Sequence, residues 1–131
     1  DFVGTYPEKI AAAIALCGGA TIKDYRKMGT LPLWIIHGTA DRSVKIEESQ
    51  KVVEGMKKAG VAQRLRYEWI KGASHGDLAR YFYLSDTYDW LFMHTLNEPV
   101  RPVDTSIQIT ADERSNAYRS FTHRKDELDI R

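Results

Sequence analysis

LPLWIIHGTADRSV, residues 31–44, runs from an almost unbroken apolar segment into a glycine and then a polar turn. The apolar part is rich in β-branched and aromatic side chains and shows no alternation, which is how a strand buried on both faces reads. Asp41 sits just past its end. Downstream, TADRSVKIEESQKVVEGMKKAG carries a helix signal: Ile46, Val52, Val53, Met56 and Ala59 can share a face, acids crowd the start, lysines the end, and Gly60 follows. RLRYEWIKG then alternates Leu65, Tyr67 and Trp69 against Arg64, Arg66 and Glu68, the period-two pattern of a strand near a sheet edge with one wetter face. From Leu78 to Leu96 the pattern is helical again, with an interruption near Ser85, which is placed to cap DTYDWLFMHTL; Leu91, Phe92 and Leu96 are expected to bury against the sheet.

Upstream, IAAAIALCGGA is a second continuous apolar run, closed by Gly18 and Gly19. Taken alone, it fits a strand buried on both faces or a short buried helix. TIKDYRKMGT is polar and irregular, a connection with one short helix, and DFVGTYPEKI reads as the end of a helix entering a turn at Pro7, because proline disfavours helix in the residue before it. The alternation of short apolar strands with helices predicts an α/β fold of about three parallel strands. Residues 1–96 form this unit. Beyond Asn97 two prolines, few large apolar residues and many charges mark 97–131 as a polar extension that wraps the domain, packs on another chain or stays mobile, with SIQIT as a candidate short edge strand.

Composition narrows the function. The chain has 131 residues, 43% hydrophobic and 28% charged, enough for one modest core. Nineteen basic and eighteen acidic residues leave a formal charge of +1, with acids and bases interspersed, so nucleic acid is not the expected partner. No apolar run approaches the ~20 residues of a membrane span. A lone cysteine, Cys17, excludes an internal disulfide and is read as excluding a cysteine-based zinc site, and it reads as a small apolar filler at a strand end.

KGASHGD, residues 71–77, matches G-x-S-x-G, the turn that displays a nucleophilic serine in many hydrolases. Ser74 follows a strand and precedes a helix, as that turn requires. The order of the chain opposes it: such a serine comes first, then the acid, then the histidine, whereas the best acid here, Asp41, precedes Ser74, and the bases left would be His94 or His123. Asp41 and His75 make a better pair. Each follows a strand at what a parallel arrangement makes the same carboxyl edge, where a carboxylate can fix the tautomer of an imidazole whose other nitrogen takes a proton from a hydroxyl. Equally, Asp41 would serve as a helix cap and His75 as a turn residue, and spacing alone does not choose.

WIIHGTADRSV, followed by a helix, a strand and SHGD, resembles the C-terminal part of the α/β-hydrolase fold, in the branch of the prolyl-oligopeptidase-like peptidases and related esterases and depolymerases. YPEKIAAAIALCGGA resembles the segment after the nucleophile helix. The resemblance covers residues 1–96 and implies that Asp41 is the triad acid and His75 the base. It also implies that the nucleophile and oxyanion hole lie before Asp1, so the chain is expected to be part of a longer serine hydrolase of carboxylic esters (carboxylesterase, phospholipase or depolymerase-like) and inactive alone. A prolyl-oligopeptidase-type peptidase and a non-catalytic complementation module are the alternatives. A small-molecule ester is the implied substrate, with no metal or organic cofactor. Because three strands cut from a wider sheet expose an apolar edge, self-association or pairing with the missing N-terminal portion is expected.

Of the remaining residues, His37 at a strand end reads as a hydrogen-bonded turn histidine. A metal site from His37, Asp41 and His75 has suitable ligand types but lacks the local spacing of one. Trp69, Trp90, Tyr81, Phe82 and Tyr83 read as core and interface packing residues, with those next to the His75 turn also placed to line an acyl or alcohol pocket, and Arg42 either pairs with a surface carboxylate or borders the substrate site.

Overall fold

The structure, a computed structural model, describes residues 2–96 and 107–117. Three parallel strands, β1 (Ala13–Leu16), β2 (Leu33–Gly38) and β3 (Leu65–Ile70), form one sheet in the order β1-β2-β3. The register pairs Ala13 with Leu33 and Leu33 with Leu65. The helices are α1 (Phe2–Thr5), α2 (Ile46–Lys58), α3 (His75–Leu78), α4 (Ser85–Phe92) and α5 (111–117), and 3-10 turns cover Pro7–Lys9, Tyr25–Thr30 and Ala79–Tyr83. The expected α/β architecture of three parallel strands alternating with helices is therefore present.

β2 is buried along its whole length, as its unpatterned apolar sequence requires of the middle strand. The IAAAIAL run resolves as a strand but is only half-buried, because among the described residues no strand lies on the outer side of β1. α2 behaves as its periodicity dictates. Val52, Val53 and Met56 bury against Leu33, Ile35, Met28 and Leu31, and Gly60 takes the positive φ of 73° that ends the helix.

The opposite face departs from the expected pattern in two places. There Trp34, Ile36, Tyr81, Trp90, Leu78 and Cys17 form the core, with Ile107 and Ile109 packed on it. Among the described residues of SIQIT, 107–110, no strand forms; the segment packs on the core over the sheet instead of extending its edge. This covers the face of β3 that was expected to be wetter. Arg66 is 7% exposed, its guanidinium 3.8 Å from the Trp34 ring centroid, and it donates to the Ile107 carbonyl at 2.8 Å. Its stem and planar head fill apolar space while its charge stays paired. Tyr67, on the supposedly drier face, is the more exposed residue.

Helix α4 is the second departure. It ends at Phe92, and its buried residues, Thr87 and Trp90, stand one turn apart with Leu91 beside them. Phe92 falls about 100° further round and is 77% exposed, while Leu96 lies beyond the helix and is also exposed, so neither joins Leu91 in the core as expected. Ser85 begins the helix without making a side-chain cap. His94 is buried against Trp90, and His123 lies outside the described residues. Among the described residues no helix is long and apolar enough to cross a membrane.

Candidate active site

The carboxyl edge of the sheet gathers three strand ends. β1 delivers Cys17, β2 runs through Gly38 into Asp41, and β3 turns at Gly72 into Ser74 and His75. The two later turns touch. Ala40 donates its N–H to the Ala73 carbonyl at 3.0 Å, and Gly72 N–H donates to Thr39 Oγ1 at 2.8 Å. A side chain at position 38 would place its Cβ 2.1 Å from the Ala73 carbonyl oxygen, so only glycine allows this approach. Gly72 has φ 75°, which lets the chain reverse there.

His75 Nδ1 lies 2.8 Å from Asp41 Oδ2. The carboxylate is buried and anchored, since Oδ1 accepts from the N–H groups of Ser43 (2.8 Å) and Val44 (2.9 Å). Burial works to raise the Asp41 carboxyl, but the Val44 N–H, the His75 hydrogen bond, the Ser43 N–H and the His75 charge outweigh it and bring it down to about 2. An ionised carboxylate is acceptor-only, so the His75 proton sits on Nδ1, and Nε2 of the neutral ring carries a lone pair. No described residue hydrogen-bonds to Nε2, and the His75 side chain is about half exposed. Asp41 thus caps its own turn and orients an imidazole at once; the two readings of it from sequence are both features of the geometry.

Ser74 is engaged elsewhere. It is the N-cap of α3: its hydroxyl donates to Asp77 Oδ2 at 2.7 Å, and its N–H reaches the same oxygen at 2.8 Å. The Asp77 carboxyl is held below its usual range, first by that N–H and then by the hydroxyl. Ser74 therefore has a carboxylate as its hydrogen-bond partner and no histidine. The local G-x-S-x-G match is accounted for by a capping box.

His37 is fully buried behind the site. Its Nδ1 is 2.7 Å from Ser49 Oγ, which also donates to the Gly18 carbonyl at 2.5 Å. Nε2 lies 2.9 Å from the Val44 carbonyl and 3.2 Å from Asp41 Oδ2. His37 therefore braces the Asp41 turn against α2 and the β1 end.

Cys17 is the residue that the sequence reading left out of the site. Its thiol lies 3.8 Å from the His75 carbonyl, and burial, then the Asp41 charge, then a hydrogen bond to Asp41 push it up to about 11. Its φ of 50° is the only positive value among described non-glycine residues, a strained conformation at the strand end. Its position immediately after an apolar run, as with Asp41 and the His75 turn, was the available signal.

No protein-family model matches the chain, and no curated protein matches it. The chain is similar to the crystal structure of a thermostable esterase, with 25% identity over 70% of this chain and 26% of that one, and a TM-score of 0.61. It has an esterase-like α/β-hydrolase fold. A crystal structure of esterase PE8 also matches, with 21% identity over 60% of this chain and 34% of that one, and a TM-score of 0.40. The chain spans about a quarter of the length of the thermostable esterase.

Proposed function

We propose that residues 1–96 are the C-terminal portion of an α/β-hydrolase domain, with 97–131 as its extension, and that they carry the acid and base of a serine hydrolase of carboxylic esters. The carrying observation is the 2.8 Å contact between His75 Nδ1 and Asp41 Oδ2, with Nε2 open to a hydroxyl. In this reading Nε2 takes the proton of a serine supplied by polypeptide outside this sequence, Asp41 stabilises the imidazolium that forms, and His75 returns the proton to the leaving alcohol. The esterase likeness supports ester over peptide as the substrate class. The outer side of β1, where no strand lies among the described residues, runs beside an apolar cavity lined by Val3, Ala13, Ile14, Ala15 and Ile22 and suits the strand and helix that would bring the nucleophile. The chain alone is expected not to turn over esters.

The test is fluorophosphonate labelling and hydrolysis of a p-nitrophenyl ester, by this chain alone and by the chain joined to the polypeptide encoded upstream. Labelling and turnover are expected only in the longer protein, with Asp41→Asn lowering turnover by roughly 10⁴-fold and His75→Ala by at least as much. Turnover by the chain alone that disappears in Ser74→Ala but survives His75→Ala would overturn the reading.

A further inference from the structure

The carboxyl edge holds one grouping that the proposed proton transfers do not use. Cys17 Sγ, a carboxylate oxygen of Asp41 and a ring nitrogen of His75 all lie within 4.8 Å of one another. They come from the ends of three successive strands, so the parallel sheet brings them together although they are far apart in sequence. His37, the histidine that the sequence suggested beside Asp41 and His75, is turned to other work: both its ring nitrogens are held by Ser49, Val44 and Asp41.

We propose that Cys17, Asp41 and His75 form a binding site for one divalent cation of the zinc type. Thiolate, carboxylate and imidazole are the three protein ligand types of tetrahedral zinc, and three of them leave a fourth position for water. The mixed sulfur, nitrogen and oxygen set selects zinc or cobalt(II) over magnesium or calcium, which favour oxygen alone. Ordinary zinc bond lengths put tetrahedral donors about 3.5 Å apart, so the cluster, whose atoms lie within 4.8 Å of one another, has to tighten by about 1 Å while the Asp41–His75 contact at 2.8 Å opens slightly. His75 can supply that movement, because its side chain is about half exposed and stands at the start of a four-residue helix. The other two ligands are buried and already fixed, Asp41 by the Ser43 and Val44 amides and Cys17 at the end of β1. The exposed side of His75 is the route of entry.

The chemistry of binding balances without a co-reactant. The Cys17 thiol proton leaves to solvent as the metal–sulfur bond forms, the ionised Asp41 carboxylate donates one oxygen, and the imidazole gives up its Nδ1 proton to solvent, takes one from solvent on Nε2, and binds through the Nδ1 lone pair so freed. No electron is transferred. A bound ion occupies both groups that the acid–base reading requires, so inhibition of hydrolysis by zinc is the consequence. That consequence rests on the hydrolase reading, whereas the binding does not.

The experiment is a cobalt(II) titration of the reduced, full 131-residue chain, read by equilibrium dialysis and by near-ultraviolet absorption, where a cobalt–thiolate bond gives a charge-transfer band. One cobalt per chain is expected, with the band present, lost on adding one equivalent of zinc, and absent from Cys17→Ser. His75→Gln should weaken the affinity by at least roughly tenfold, the loss already typical of removing a mere supporting partner of a ligand. No binding, binding without the band, or a band that survives Cys17→Ser overturns the proposal. If Cys17→Ser loses its folded circular dichroism spectrum, His75→Gln decides, and an unchanged affinity and band in that variant overturn it. Because none of these readouts involves ester turnover, failure of the hydrolase reading leaves the metal result intact, and the reverse is equally visible.

Discussion

The two faces of the sheet are built differently. Under α2 the core is aliphatic and regular, with Leu33 and Ile35 meeting Val52, Val53 and Met56 from the helix that follows directly in sequence. Under α3, α4 and residues 107–109, Trp34 packs on Tyr81 and Trp90 while sharing its surroundings with the Arg66 guanidinium and donating its indole N–H to the Glu68 carboxylate. The first face is made by local periodicity. The second is assembled from distant pieces, and it is the one that carries Cys17, Ala73 and Leu78 up to the Asp41–His75 pair. The regular face holds the strands, and the irregular one aims the histidine.

Truncating one anchor on each face gives the largest test of this contrast. Trp90→Ala should cost about 3–5 kcal/mol in urea unfolding and Met56→Ala about 2–5 kcal/mol, since both side chains are fully buried. Only Trp90→Ala should shift the His75 ring resonances. Equal disturbance of His75 by both would break the comparison. Gly38→Ala should follow at about 1–3 kcal/mol or somewhat more, because its new Cβ meets the Ala73 carbonyl and forces the Asp41 and His75 turns apart; loss of His75 orientation in a still-folded variant is the readout.

Acid unfolding isolates the edge between the faces. The Asp41 carboxyl is lowered to about 2 in the folded chain, so its contribution is complete above the ordinary value near about 4 and is lost as pH falls from there through about 2. Asp41→Asn should remove that part of the acid sensitivity, as read from unfolding midpoints at a series of pH values. Arg66→Met, which keeps the stem over Trp34 but removes the bonds to Glu68 and Ile107, should cost about 1–3 kcal/mol. Phe92→Ser, on the exposed side of α4, should stay within about 0.5 kcal/mol.

These differences also decide what could be read in advance. β2 and α2 were legible because each has a single requirement along its length, complete burial for one and a 3.6-residue stripe for the other. Asp41 and His75 were legible as a pair because both follow apolar strands that a parallel sheet aligns. Arg66 misled because its period-two position says which face it shares, and nothing about what covers that face; the cover, Ile107, is 41 residues away. Phe92 and Leu96 misled because their burial depends on where α4 stops. Ser74 matched a nucleophile turn by five letters, and the fact that separates the two possibilities, an Asp77 carboxylate 2.7 Å from its hydroxyl, is a capping interaction also written in those neighbouring letters as Ser-x-x-Asp.

The central claim is that Asp41 holds His75 with one nitrogen committed and the other open. Nitrogen-15 NMR of the histidine rings, in the chain and in Asp41→Asn, tests this most directly. The account predicts that the neutral His75 ring carries its proton on Nδ1, hydrogen-bonded to Asp41, and that this preference disappears in the variant. A proton resident on Nε2, or a spectrum of His75 that Asp41→Asn leaves unchanged, would contradict it.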